Sequence, residues 1–279
     1  MTPIPELIEF IQIAHAGQVD KGAQAPYWQH PVAVCNTLPP FASPALREAA
    51  LLHDAIEDTA FKRDGDRLVF DAEKFAALSP QMQQAQRPAE IAAAKKRGEA
   101  LPEQTPPVVE APPLSPMTLD IVEGVTNEEV PLPPGLTREE QGKLVLAHYQ
   151  DHIVELAHAR PGEPDALELA ENRVLLKFTD MSQNVDKQRL SAITDLDTLT
   201  WFAEKYERPF NALLERAKEI AAKHGYALDA DTVLEEDGKG NKRFYLAAPP
   251  VWRPLEKEAG RHDGQLWAEA LGNRQPRER

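Results

Sequence analysis

Cysteine is almost missing: Cys35 stands alone in 279 residues. One thiol excludes an internal disulfide and any zinc cluster built on several cysteines. Positive charge is also short, with 31 Lys and Arg against 45 Asp and Glu and a formal net charge of -14. So acidic a chain lacks the basic face of a non-specific nucleic-acid binder or of a protein held on anionic lipid. A phosphorylated small molecule remains within reach, because a cation and a few local basic side chains can reverse the sign inside one pocket. Long apolar runs are missing too. No stretch approaches the ~20 residues of a membrane span, and MTPIPELIEF shows no basic start or long apolar run. The expectation is a cytoplasmic protein that engages neither nucleic acid nor membrane.

What is present is the composition of a globular protein, 42% hydrophobic and 27% charged, with enough chain to bury a real core. LIEFIQIAHAGQ sets Leu7, Ile8, Ile11 and His15 at helical spacing. Ser43 before Pro44 opens a helix, and ALREAALLHDAIEDT continues it with few breakers. FKRDGDRLVF predicts a small hairpin around Asp64-Gly65, and DAEKFAAL a short helix. From Ser79 to Pro116 the chain is rich in Pro, Gln and Ala and reads as a connector, with a helix at AEIAAAKKR. Helical patterning returns in SPMTLDIVEGVTN, TREEQGKLVLAHYQDHIVELAHA, ALELAENRVLLKFTDMSQNVDK and TWFAEKYERPFNALLERAKEIAAKHG. DTVLEEDGKGNKRFYLA predicts a β-hairpin turning at Gly238-Lys239-Gly240, followed by a polar tail beyond Arg261. The predicted fold is therefore all-α in the main, with a small β-hairpin addition near the C-terminus. One helical domain covers residues 1–225 with an insertion at about 61–116, and residues 226–279 form a hairpin and tail extension.

Three fragments carry chemistry: PYWQHPV, ALLHDAIEDT and VLLKFTDMSQN. Residues four apart share a helix face, so His53 should stand over Glu57 and Asp54 over Asp58. Carboxylates among Ala, Leu and Ile are costly to bury unless paired or bound to a cation, and a divalent metal is the economical explanation. His30, directly before Pro31, falls at a helix start and is free to point into a pocket. Lys177, Asp180 and Asn184 lie on one helix face. Two imidazoles and two carboxylates suit Mn²⁺, Fe²⁺ or Zn²⁺. By contrast, His148, His152 and His158 share a helix without a matched carboxylate cluster and read as ordinary surface histidines.

The order H…HD…D, with the strings AHAGQVDKGAQAPYWQHPVAV, ALLHDAIEDT, IVEGVTN and VLLKFTDMSQN, resembles the hydrolase domain of the RelA/SpoT proteins and their stand-alone relatives, the small alarmone hydrolases. The similarity covers roughly residues 5–59 and 117–215. It implies the helical HD fold, bound Mn²⁺ and removal of pyrophosphate from the 3′ position of (p)ppGpp. Position by position, it implies His30, His53, Asp54 and Asp180 as metal ligands and Glu57 and Asp58 as the acidic pair that positions or activates water. Lys21 and Asn184 match substrate-contacting positions, Tyr27 lies beside the pocket, and Lys177 is a further candidate cation for phosphate. Two departures bear on the nucleotide. Asp20-Lys21 replaces the usual Arg-Lys pair, and Asp180-Met181-Ser182-Gln183-Asn184 lacks the arginine expected after the aspartate. The expectation is a metal-dependent nucleotide phosphohydrolase. (p)ppGpp is its first candidate substrate, and a 5′-nucleotide or an NADPH-like molecule the alternative. The rival is a retired HD module that senses nucleotides or binds protein. A protein partner, such as an alarmone synthetase, or a homo-oligomer would fit either.

Overall fold

The computed structural model describes residues 4–20, 25–80, 82–83, 111–127 and 130–255. Their elements run α1 (Ile4–Ala14), α2 (Gln29–Thr37), α3 (Pro44–Leu52), α4 (Ala55–Asp58), β1 (Phe61–Asp64), β2 (Arg67–Phe70) and α5 (Ala72–Ala77). Then follow α6 (Pro116–Val125), α7 (Arg138–His158), α8 (Pro164–Asn184), α9 (Lys187–Ser191) and α10 (Leu196–Lys223). The chain closes with β3 (Tyr226–Asp229), β4 (Thr232–Glu236), β5 (Lys242–Leu246) and β6 (Val251–Pro254). The fold is mainly helical with small antiparallel strand pairs. The connector helix at AEIAAAKKR, the tail beyond Arg261 and Lys21 lie outside the described residues.

Local chemistry explains the helix starts. The Ser43 and Ser115 hydroxyls accept from the amides of Leu46 and Thr118, each with proline opening the first turn. Thr137 and Glu140 close a reciprocal capping box at the head of α7. Among the described helices, α8 alone has a long stretch buried all round: every residue from Val174 to Ser182 is buried. That is the mark of a helix at the centre of a body, not on its flank. It packs against α2, α3, α6, α7 and α10.

One expectation needs correcting. ALREAALLHDAIEDT is not one helix: α3 stops at Leu52, and α4 restarts at Ala55. Asp54 sits at φ -94, ψ -2, off the regular helix. Successive residues of a straight helix diverge by about 100°, so His53 and Asp54 could not aim at one point from it. The break lets them.

The hairpin of β1 and β2 turns at Gly65, whose φ of 61 suits glycine. Near the C-terminus β4 pairs with β5, as the sequence led one to expect, with Val233 opposite Tyr245. A second antiparallel pair, β3 with β6, was not foreseen. Phe244, Leu246 and Leu228 belong to the same buried cluster as Phe178 and Phe210. The Leu246 amide donates to the Val185 carbonyl at 2.9 Å, and Trp252 Nε1 donates to the Thr37 carbonyl at 3.0 Å. These strands thus close the main core. No helix among the described residues is long and apolar enough to cross a membrane.

Candidate metal centre

Three separate segments deliver the site. The first turn of α2 supplies His30, the α3–α4 break supplies His53 and Asp54, and the buried middle of α8 supplies Asp180. His53 Nε2 lies 3.0 Å from Asp54 Oδ2 and 3.6 Å from Asp180 Oδ1. His30 Nε2 lies 3.2 Å from Asp180 Oδ1 and 3.8 Å from Asp54 Oδ2. Metal–ligand bonds of about 2.1 Å place neighbouring donor atoms roughly 3 Å apart, so these spacings suit one ion. Among the described residues, His30, His53 and Asp54 form a group whose donor atoms all lie within 4.8 Å of one another. His148, His152 and His158 form no such group among the described residues.

The residues fit a cation chemically as well. His53 is buried, and its Nδ1 is 2.9 Å from the Ala50 carbonyl. Donation there leaves the Nε2 lone pair for a metal. Nε2 faces Asp54 and Asp180 but makes no aligned hydrogen bond, an orphan atom in a buried place. Burial opposes charge on His53, yet Asp54 and Asp180 outweigh it and hold the imidazole well above its ordinary pKa. Asp54 and Asp180 are held below theirs: burial works against this, but His53 acts on the first, and Lys177 with both histidines on the second. The cluster therefore selects positive charge at its centre, and a divalent ion in two-histidine, two-carboxylate surroundings would answer that demand.

The remaining candidate residues take distinct places. Tyr27 donates its hydroxyl to Asp54 Oδ2 at 2.7 Å, with burial first and Asp54 second raising its pKa. Lys177 is buried, 3.3 Å from Asp180 Oδ2, and donates to the Val125 carbonyl at 3.5 Å. Burial disfavours its charge, but Asp180, Glu57 and Asp54 prevail and raise it. It stands behind the candidate ligand Asp180. Asn184 likewise donates to Asp180 Oδ1 at 2.8 Å. Glu57 and Asp58 are exposed. Surrounding protein, then the charges of Asp54 and Glu57, push the Asp58 carboxyl up to about 7.

Two partners escaped sequence reasoning. Asn127, just past α6, grips Glu57 three ways: its amide donates to Oε2 at 3.2 Å, and its Nδ2 to Oε1 at 2.9 Å and Oε2 at 3.1 Å. Arg189 on α9 donates to Asn184 Oδ1 and to Asp20 Oδ1, both at 2.8 Å. It lines a cavity of about 450 Å³ with Gln29, His30 and Gln183. Arg189 is ion-paired with Asp20 in the wall of that cavity, whereas Met181 is wholly buried in the core. Neither a scan against protein-family models nor a search of the curated proteins finds a match to this chain.

Proposed function

We propose that this chain is a metal-dependent phosphohydrolase of the HD type that acts on nucleotides, with (p)ppGpp the first candidate substrate. The observation that carries it is the convergence of His30, His53, Asp54 and Asp180 on one point, with Glu57 and Asp58 one turn away. Retired sites tend to lose a ligand or an acid; this chain keeps all six residues. The resemblance to RelA/SpoT hydrolase domains gives the nucleotide and Mn²⁺.

A divalent cation held there would acidify water and offset negative charge on a phosphate. The chain's own groups do the rest. Glu57, fixed in orientation by Asn127, takes a proton from the attacking water. Asp58, with its carboxyl pushed up to about 7, can hold a proton and release it near neutrality. Tyr27, Lys177 and Asn184 fix the two ligand carboxylates, so that the donor atoms need little rearrangement. Arg189, ion-paired with Asp20 at 2.8 Å, stands in the wall of the cavity beside His30, where a phosphate would meet it. The water oxygen joins phosphorus, the bond from phosphorus to the 3′ oxygen breaks, and pyrophosphate departs.

The test is pyrophosphate release from ppGpp by purified protein with Mn²⁺ and with chelator, alongside mononucleotides and NADPH. Metal-dependent release is expected, and Asp180→Ala should abolish Mn²⁺ binding and turnover together. Turnover by Asp180→Ala would sink the site. Activity confined to other nucleotides would replace the substrate, and silence on all of them would favour a module without catalysis.

A further inference from the structure

On the Glu57 side lies a second cavity, of about 550 Å³, within the size range of small-molecule sites. Glu57 and Asn127 form one wall, while Val145 and Tyr149 of α7 and Trp201 and Lys205 of α10 form others. Its mouth is unusually apolar: Trp201 is 47% exposed, Val145 44% and Leu132 39%. Positive charge sits among the rings, with Lys205 Nζ 4.5 Å from the Tyr149 centroid and 5.2 Å from that of Trp201. Gly142 lies in the interior of α7, where glycine weakens a helix. A Cβ built there would meet no atom within 4 Å, and the residue stands in the wall of this cavity. The other cavity, walled by His30 and Arg189, is lined by different residues. One cavity thus lies against His30 and another against Glu57.

We infer that the Glu57-side cavity is a subsite for an aromatic group joined through the phosphate under attack. The site then also takes phosphate esters or anhydrides with an organic group on each side of that phosphate, where (p)ppGpp carries only a further phosphate. Aromatic walls bearing a cation suit a flat ring next to an anion. A half-open hollow with polar groups from Glu57, Asn127 and Lys205 in its walls suits a small molecule better than a flat protein partner. This inference rests on the hydrolase reading for the phosphate and on the cavity alone for the ring.

The probes are bis(4-nitrophenyl) phosphate and 4-nitrophenyl phosphate. Both are assayed with Mn²⁺ for turnover and by equilibrium dialysis in chelator for binding. Wild type should bind the diester more tightly than the monoester. Gly142→Phe, which fills the cavity from a helix that tolerates the change, should cut the diester-to-monoester ratio of kcat/KM by about tenfold and weaken diester binding. Trp201→Ala, at an exposed position, should do the same by removing the stacking face. Unchanged ratio and binding in both variants overturn the subsite while leaving the hydrolase intact. If nothing is turned over but the diester binds wild type and not Gly142→Phe, the hydrolase reading fails and the subsite stands. A shift of the wild type's sedimentation, abolished by Gly142→Phe without any change in ligand binding, would assign the cavity to a second copy of the chain and also overturn the inference.

Discussion

Glu57 owes its orientation to Asn127, seventy residues further along the chain. The carboxylate receives three donations from one partner, so on the hydrolase reading proposed above it would accept a proton with little freedom left to lose. Asn127→Ala should therefore lower kcat by about tenfold to a hundredfold and leave the Mn²⁺ dissociation constant unmoved. A parallel loss of metal affinity would show that Asn127 supports the ligand set instead. Asp58 makes a second prediction, in pH. Its folded-state carboxyl titrates near 7, above the ordinary value of 3.8. The folded chain thus holds a proton that the unfolded chain has released. This group's contribution to stability is fully present below the ordinary value and is lost as pH rises towards 7. A divalent ion beside it would relieve the part of that rise due to Asp54 and Glu57, burial being the larger cause, and would also compete with protons for His53. The gain in Tm from Mn²⁺ over chelator should grow from pH 5 to pH 8. An equal gain at both would separate Asp58 and His53 from the ion.

At the scale of elements, the site depends on helices that touch no ligand. Gly124 of α6 meets Arg173 of α8 so closely that a Cβ would lie 1.9 Å from Nε. That guanidinium donates to the Asp120 carbonyl through Nε at 3.1 Å and its terminal nitrogen at 2.7 Å. Gly124→Ala must displace the side chain or part the helices. It should destabilise the protein by about 1–3 kcal/mol, read as a fall in denaturant midpoint. An unchanged midpoint would mean that Arg173 swings away at no cost. Much of this level was legible beforehand. The helices of the first and last thirds followed from periodicity and from the Ser-Pro starts, because those signals are local. The break between α3 and α4 was not, since no Gly or Pro marks it; it follows from what His53 and Asp54 must face together. Asn127 and Arg189 were equally hidden, because an amide or a guanidinium in a polar string carries no sign of the partner it meets across the fold. The pairing of β3 with β6 joins strands on either side of another hairpin and leaves no local mark.

Over the whole molecule, one core runs from α1 to β5, and the C-terminal strands belong to it. Phe244 is buried, with its ring centroid 5.8 Å from that of Phe210, which in turn lies 5.5 Å from Phe178 on the ligand-bearing helix. Phe244→Ala should cost about 3–5 kcal/mol in chemical denaturation, through a single transition in which α8 and the strands unfold together. Two separate transitions would make residues 226–255 an independent unit.

The separation of the ligands along the chain also bears on the order of events during synthesis. His30 and Asp180 are 150 residues apart, and His53 with Asp54 stands between them. A nascent chain therefore carries three of the four donors long before it carries the fourth, or the lysine and asparagine that hold it. Closing so large a loop is a late and entropically costly step. An ion held by this cluster would be a seal on a finished body, not a nucleus from which it grows, and ribosome-bound chains that end before α8 should take up no metal.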